Sequence, residues 1–251
     1  MSDMSHALIV ASALPLPSQE ALVAALRRMG LDPREADSGG GPSARVRFGA
    51  VTALLRRAGP DELIQADPGD PATSSLATTL PAAWRDAGTC WNLAFEGDLA
   101  RDGATLDDAF KMIVLLIDLF DASHFFWSAA RLWSDAPQLR ASIAEMQASG
   151  MPPVLHLVAF RRRGEDAGER MRTRGLSLFT GQELEAAVPA GWTVADMVKR
   201  LARLAIDAML NGPVVREQAA PGLHAGERVR PMPPDPEDRA AIVKVAFDRG
   251  G

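Results

Sequence analysis

The sequence is short of the features that announce a function. Of its 251 residues only one is cysteine, Cys90, so no intramolecular disulfide and no cysteine-built zinc site can form. No Walker-type phosphate loop, no glycine-rich dinucleotide fingerprint after a strand, no HExxH and no GxSxG occurs along the chain. Basic residues are not in excess either: 27 Lys and Arg stand against 32 Asp and Glu, a formal net charge of −5. Phosphate binding needs a concentrated basic surface, so nucleic acid is not an expected partner. The most apolar segment, AFKMIVLLIDLF (109–120), carries Lys111 and Asp118 and is too short to span a bilayer. Near the start, HALIVASALPLP has a brief apolar run from His6 to Ala11, preceded by Asp3 and no basic region. It reads as a first strand and not as a secretory signal. These absences together suggest a cytoplasmic protein without a membrane span.

What is present is an ordinary globular mixture, about half apolar and a quarter charged. ALIVAS (7–12) has the length and composition of a buried strand. Ser18 then starts a helix through Met29, with Leu22, Val23, Leu26 and Met29 at helical spacing and Gly30 at its end. DSGGGPS (37–43) reads as a flexible loop, and ARVRFGAVTALLRRA (44–58) as a hairpin around Gly49. Gly59 to Thr79 reads as a long surface loop with one short helix, and TCWNLAFEG (89–97) as another buried strand.

Thr105, with Asp108 three residues on, resembles a capping box for a helix through Phe120. That helix is apolar nearly all round, which predicts burial between layers. SHFFWS (123–128) predicts a short strand, 134–150 a helix, and PPVLHLVAFRRR (152–163) the longest strand. A hairpin around Gly164–Gly168 leads to RMRTRGLSL (170–178). Thr193, with Asp196 in the capping position, opens a final helix that Asn211–Gly212 ends and Pro213 keeps from continuing. A Pro-rich passage (230–238) precedes a last strand, AIVKVAF (241–247).

The pattern predicts an α+β fold: a mixed, mostly antiparallel sheet with helices packed on it, with room for two ferredoxin-like halves. No linker is visible, so the expectation is a single domain over 1–251. Its core would lie at about 5–212, and 213–251 would form an extended tail with a final strand.

The candidate chemistry divides into four groups. Cys90 is a possible nucleophile with His124 or His156 as base, although a cysteine in TCWNLAF also suits a small buried position. Strand alternation in HFFW places His124 and Phe126 on one face, Phe125 and Trp127 on the other, as in a covered strand. Glu96, Asp98, Asp107 and Asp108 lie close in sequence and suggest a cation site or an acid–base pair. Helix-start capping accounts equally for the two at 107–108. The basic cluster FRRRGEDAGERMRTR (160–174) is broken by Glu165, Asp166 and Glu169 and reads as a solvated hairpin. The four histidines, His6, His124, His156 and His224, show no i, i+4 pair, so no metal site is expected from their spacing.

The fourth group is MRTRGLSLFTGQELEAAVP (171–189), the most patterned stretch. FTGQEL (179–184) suits a helix start, with Thr180 and Glu183 capping reciprocally and Phe179 against Leu184 as a staple. Capping does not account for Thr173, Arg174 or Glu185. The pattern Thr173, Gly175, Leu176, Phe179, Glu183 and Glu185 resembles the uncharacterised bacterial family called domain of unknown function 4261. Thr180 and Gln182 stand where that family usually has glycine and proline. The resemblance implies an α+β fold over roughly 5–247 and carries no assigned activity.

The residues therefore predict a protein that works by binding a protein partner or a small ligand, with no catalysis, metal or cofactor. Its candidate binding residues are Thr173, Arg174, Glu183 and Glu185. The alternatives are a hydrolase-like enzyme using carboxylates near Glu96–Asp108 or a Cys90/His124 pair, and an immunity-type or structural partner protein.

Overall fold

The structure, a computed structural model, describes residues 6–12, 16, 18–36, 41–97, 99, 103–165, 168–235, 237 and 241–249. The fold is α+β. The chain forms two compact units that divide between His156 and Leu157.

The first unit contains β1 (His6–Ala11), α1 (Gln19–Arg28), β2 (Asp32–Glu35), β3 (Ser43–Phe48), β4 (Val51–Arg57), α2 (Pro60–Gln65) and β5 (Ser74–Ser75). It continues with β6 (Cys90–Glu96), α3 (Gly103–Phe120), β7 (Ala122–Trp127), β8 (Leu132–Asp135) and α4 (Ala136–Ser149). The sheet order is β2-β3-β4-β6-β1-β7-β8-β5, antiparallel except for the β5–β8 pair. β1 pairs antiparallel with β6 on one side and β7 on the other. The run β4-β6-β1-β7, with α1 after β1 and α3 between β6 and β7, follows the ferredoxin-like order, extended at one edge by β2 and β3; the second unit does not repeat it.

Both faces of this sheet are buried. Ala7, Ile9, Trp91, Leu93 and Phe125 point to the side of α3, where Trp91 stacks on Phe120 with ring centroids 4.8 Å apart. The opposite face presents Leu8, Val10, Cys90, Phe126 and Trp133, which cluster with Ala66 and Trp84. The 59–79 segment, expected to lie on the surface, thus helps to cover this face. Ala66 is fully buried, and its carbonyl accepts from Trp133 Nε1 at 2.7 Å. Covering the aromatic rows of both faces removes several large side chains from water, at about 1.5–3 kcal/mol each.

Local chemistry sets the element ends. Ser18 caps α1 by accepting from Ala21 N–H at 3.2 Å, and Gly30 leaves the helix with φ +81°. α3 starts two residues before Thr105, which lies inside the helix. Asp108 instead accepts from Ala50 N–H at 2.9 Å, tying the helix to the β3–β4 turn. The expected strand at 152–163 begins as α5 (Val154–Leu157), a single turn at which the units divide, because Pro152 and Pro153 cannot donate to a ladder. Of the expected 37–43 loop, residues 37–40 lie outside the described residues, and Ser43 already belongs to β3.

The second unit contains β9 (Ala159–Glu165), β10 (Gly168–Arg174), α6 (Ser177–Thr180), β11 (Glu183–Ala187) and α7 (Val194–Asn211). It is completed by β12 (Ala220–Pro221), β13 (Glu227–Met232) and β14 (Ile242–Arg249). The order is β12-β13-β14-β11-β10-β9, with β11 and β14 parallel. The expected tail is thus integral to the sheet: β14 lies between β11 and β13. The β9–β10 hairpin forms as expected, its tip (166–167) lying outside the described residues, as do 236 and 238 of the Pro-rich passage. Thr193 and Asp196 form the reciprocal cap that opens α7. Its buried Met197, Leu201, Ala205 and Ala208 meet the sheet face of Met171, Leu184, Val229, Val243 and Val245, all buried.

Gly49 has φ +54°, and a Cβ there would fall 2.0 Å from Asp108 Oδ2. Gly49→Ala should therefore cost about 1–3 kcal/mol by urea unfolding, from backbone strain plus the displaced Asp108–Ala50 bond. Gly97→Ala, at φ +87° with open space around it, should cost less.

Candidate functional site

The 171–189 stretch folds differently from its sequence reading. Thr180 ends α6 instead of starting a helix; Gly181 follows with φ +72°, and Glu183 opens β11. The reciprocal cap and the Phe179–Leu184 staple are not made, because the backbone turns back into the sheet at Gly181. Beyond the Arg172–Glu185 pair the β10–β11 ladder opens. Leu184 N–H donates to the Thr173 hydroxyl at 2.8 Å, and that hydroxyl donates to Glu183 Oε2 at 2.7 Å. Glu183 Oε1 accepts from Gly175 N–H at 2.9 Å and Ser177 N–H at 3.1 Å. Thr173 and Glu183 are both buried, so this carboxylate joins β10, α6 and β11 by satisfying amides that the ladder leaves open.

Glu185 is buried and takes hydrogen bonds from Arg170, at 3.0 Å, and from Lys244. Burial pushes its carboxyl up, but the bonds and charges of Lys244 and Arg170 outweigh it and hold it below the usual carboxylate range. Arg174, the last residue of β10, is half-buried and pairs in register with Ala159. Of the four candidate binding residues, the structure joins Thr173 to Glu183 directly and gives Glu185 separate cationic partners.

The enzyme alternatives meet specific obstacles. Val10 pairs with Cys90 on one side and His124 on the other, so its side chain stands between them. Two strand spacings put the two backbones about 10 Å apart. Burial, and secondarily the Glu62 carboxylate, pushes the Cys90 thiol up to about 12, which leaves it protonated. His124 Nε2 lies 3.4 Å from Thr78 Oγ1 and 3.7 Å from Asp135, while Nδ1 meets Ser123 Oγ at 2.9 Å. Thr78 donates to Asp135 at 2.8 Å, so the carboxylate sits with one hydroxyl at Nε2 while the Ser123 hydroxyl is at Nδ1, the reverse of the triad order, and the ring is buried. His156 Nδ1 meets Ser134 Oγ at 3.0 Å, and burial lowers its ring below the usual histidine range against an opposing pull from Asp135.

The nearby carboxylates are dispersed. Glu96 pairs with Arg45 at 2.7 Å, Asp107 with Lys111 at 2.5 Å, and Asp108 holds the Ala50 amide. Asp98 lies outside the described residues. Among the described residues no group of three His, Cys, Asp or Glu is arranged to hold a metal ion, and no helix is long and apolar enough to cross a membrane.

An open site lies elsewhere, along α7. Arg200 makes a two-pronged pair with Glu227 on β13, Nε to Oε1 at 2.6 Å and Nη2 to Oε2 at 2.8 Å. Its guanidinium lies 3.9 Å from the centroid of the Trp192 ring, which meets Phe247 on β14. Hydrogen bonding to Arg200 holds the Glu227 carboxyl below its usual range despite burial. Next to this pair is a half-open cavity of about 260 Å³, lined by Leu204, Leu210, Leu223, Val229 and Phe247 with Arg203 among them. Leu210 and Leu223 are exposed large apolar residues. A more polar hollow, lined by Trp192, Asp196 and His224, lies on the other side of the pair.

Sequence reasoning missed this site. One signal was available: Arg200 sits in the buried stripe of α7, between Met197 and Leu201, where an unpaired charge would be costly. Its partner is 27 residues away across a loop. Comparison with family models, curated proteins and solved structures finds no match for the chain.

Arg200→Ala should cost about 3 kcal/mol in unfolding free energy, because it leaves Glu227 buried without its partner. The Glu185 contribution to stability should be full above about pH 4.5 and fall as acid protonates it, since its folded-state carboxyl is held below that value. Glu185→Gln should therefore show a shallower loss of stability on acidification, measured by urea unfolding from neutral pH downwards.

Proposed function

We propose that this protein works by binding and not by catalysis, and that the α7 cavity takes a small, mainly apolar ligand. The observation that carries this reading is the cavity itself: leucine, valine and phenylalanine side chains around an open volume, with an arginine at hand to orient a polar end. The groups with chemical potential support it from the other side. Cys90 is held as a buried thiol, Glu183 is occupied by three donors, and the ring nitrogens of His124 meet hydroxyls and a carboxylate in an order unsuited to a triad. Thr173, Glu183 and Glu185 in this reading shape the scaffold beside the site. The cytoplasm is the proposed location, and the likeness to domain of unknown function 4261 is kept as a proposal resting on the 171–189 pattern.

Titration with the environment-sensitive dye anilinonaphthalene sulfonate tests the cavity. Saturable binding at one site is expected. Leu204→Glu should weaken it about tenfold, the equivalent of about 1.4 kcal/mol, whereas Leu76→Glu, on an exposed loop of the first unit, should leave it unchanged. Binding that is not saturable, or that both variants affect alike, would remove this reading.

A further inference from the structure

Paired residues in a sheet share a face, and the second unit's sheet has two unlike faces. One carries Met171, Leu184, Val229, Val243 and Val245, and is buried under α7. The other is basic. Arg170 pairs with Arg163 and with Ala187; Arg172 pairs with Arg161 and with Glu185. Glu185 pairs with Lys244, and Arg230 with Ala246, two residues along the same strand. Two adjacent rows thus hold Arg161, Arg163, Arg170, Arg172, Arg230 and Lys244 around one carboxylate, Glu185.

This concentration was hidden in the sequence. Glu169, one of the acids that interrupts the basic cluster, falls on the other face and pairs there with Arg162. Strand alternation therefore separates charges that sequence order mixes. Residues 157–251 carry 15 Lys and Arg against 13 Asp and Glu, whereas 1–156 carry 12 against 19. The basic face belongs to the less acidic part of an acidic chain.

The surface also has a shape. Ala187 and Ala246 fill the positions between Arg170 and Arg230, which leaves a shallow floor about 14 Å across, three strand spacings, with guanidinium groups along both sides. Arg163, Arg230 and Lys244 are exposed; Arg170 and Arg172 are half-buried. Glu185 meets Arg170 and Lys244, and Arg230 reaches Asp248 at 3.5 Å and Glu217 at 3.7 Å, so these six cations still outnumber the carboxylates beside them.

We infer that this face docks an acidic segment of a partner protein, whose Asp and Glu side chains lie across the alanine floor and meet the flanking arginines. Guanidinium forks match carboxylates with two parallel bonds, which favours such a partner. Nucleic acid is the weaker match. No aromatic residue stands in the two rows to stack on bases, and the chain has no tyrosine.

The test is fluorescence anisotropy of the whole chain with a labelled oligoglutamate peptide, alongside an oligothymidylate of equal charge, at low and physiological salt. Oligoglutamate should bind more tightly than oligothymidylate, and more weakly as salt rises. The double reversal Arg163→Glu with Arg230→Glu should weaken peptide binding by at least about tenfold. The milder Arg163→Gln with Arg230→Gln should weaken it in the same direction with the melting temperature preserved. Reversing Arg45 and Arg47, exposed on β3 of the first unit, makes the same change in net charge and should have little effect. Undetectable oligoglutamate binding at low salt, equal losses from the two reversals, or tighter binding of oligothymidylate would each overturn the proposal.

Discussion

Side chains alternate between two faces along every strand, and what covers each face decides the character of each unit. In the first unit both faces are covered, one on the side of α3 and the other by the irregular segment that carries Ala66 and Trp84. Polar residues caught in that sheet must then find partners inside it. Asn92 donates to Glu62, whose second oxygen accepts from the Gly59 amide, and His124 meets Ser123 and Thr78. In the second unit only one face is apolar and packed under α7, so the same alternation gathers arginines on the other.

Buried charge is used here as a fastening. Glu183 closes the gap where the β10–β11 ladder opens, and Arg200 with Glu227 fixes α7 to β13. A carboxylate with three donors, or a guanidinium with both prongs engaged, makes a poor reagent but a firm anchor. The α7 cavity depends on that anchor. Its walls come from α7 on one side and from the β12–β13 segment and β14 on the other, and the Arg200–Glu227 pair and the Trp192–Phe247 contact hold the two together.

Much of the fold was legible because its signals are local. Ser18, Gly30, Thr193 and Asp196 mark helix ends by chemistry that acts over three or four residues. The HFFW alternation identified a strand covered on both sides. FTGQEL was misread because Thr, Glu and flanking apolar residues suit a helix start as well as they suit a helix end followed by a strand. Gly181 at φ +72° settles the direction, and a backbone angle has no signature of its own in the sequence. The site along α7 was illegible for a similar reason. Arg200 stood out as a charge in an apolar stripe, but nothing near it in sequence named Glu227 or Trp192 as its company.

The sequence by itself determined the α+β composition, most element positions, and the exclusion of intramolecular disulfides and cysteine-built zinc sites, because each follows from residue type or short-range periodicity. Tertiary structure decided which strands became neighbours and which residues shared a face. Val10 came to separate Cys90 from His124, residues 213–251 entered the sheet, and Glu169 was placed on the opposite face from Arg170 and Arg172. Those outcomes depend on hydrogen-bond pairing between segments far apart in the chain, which no short-range pattern encodes.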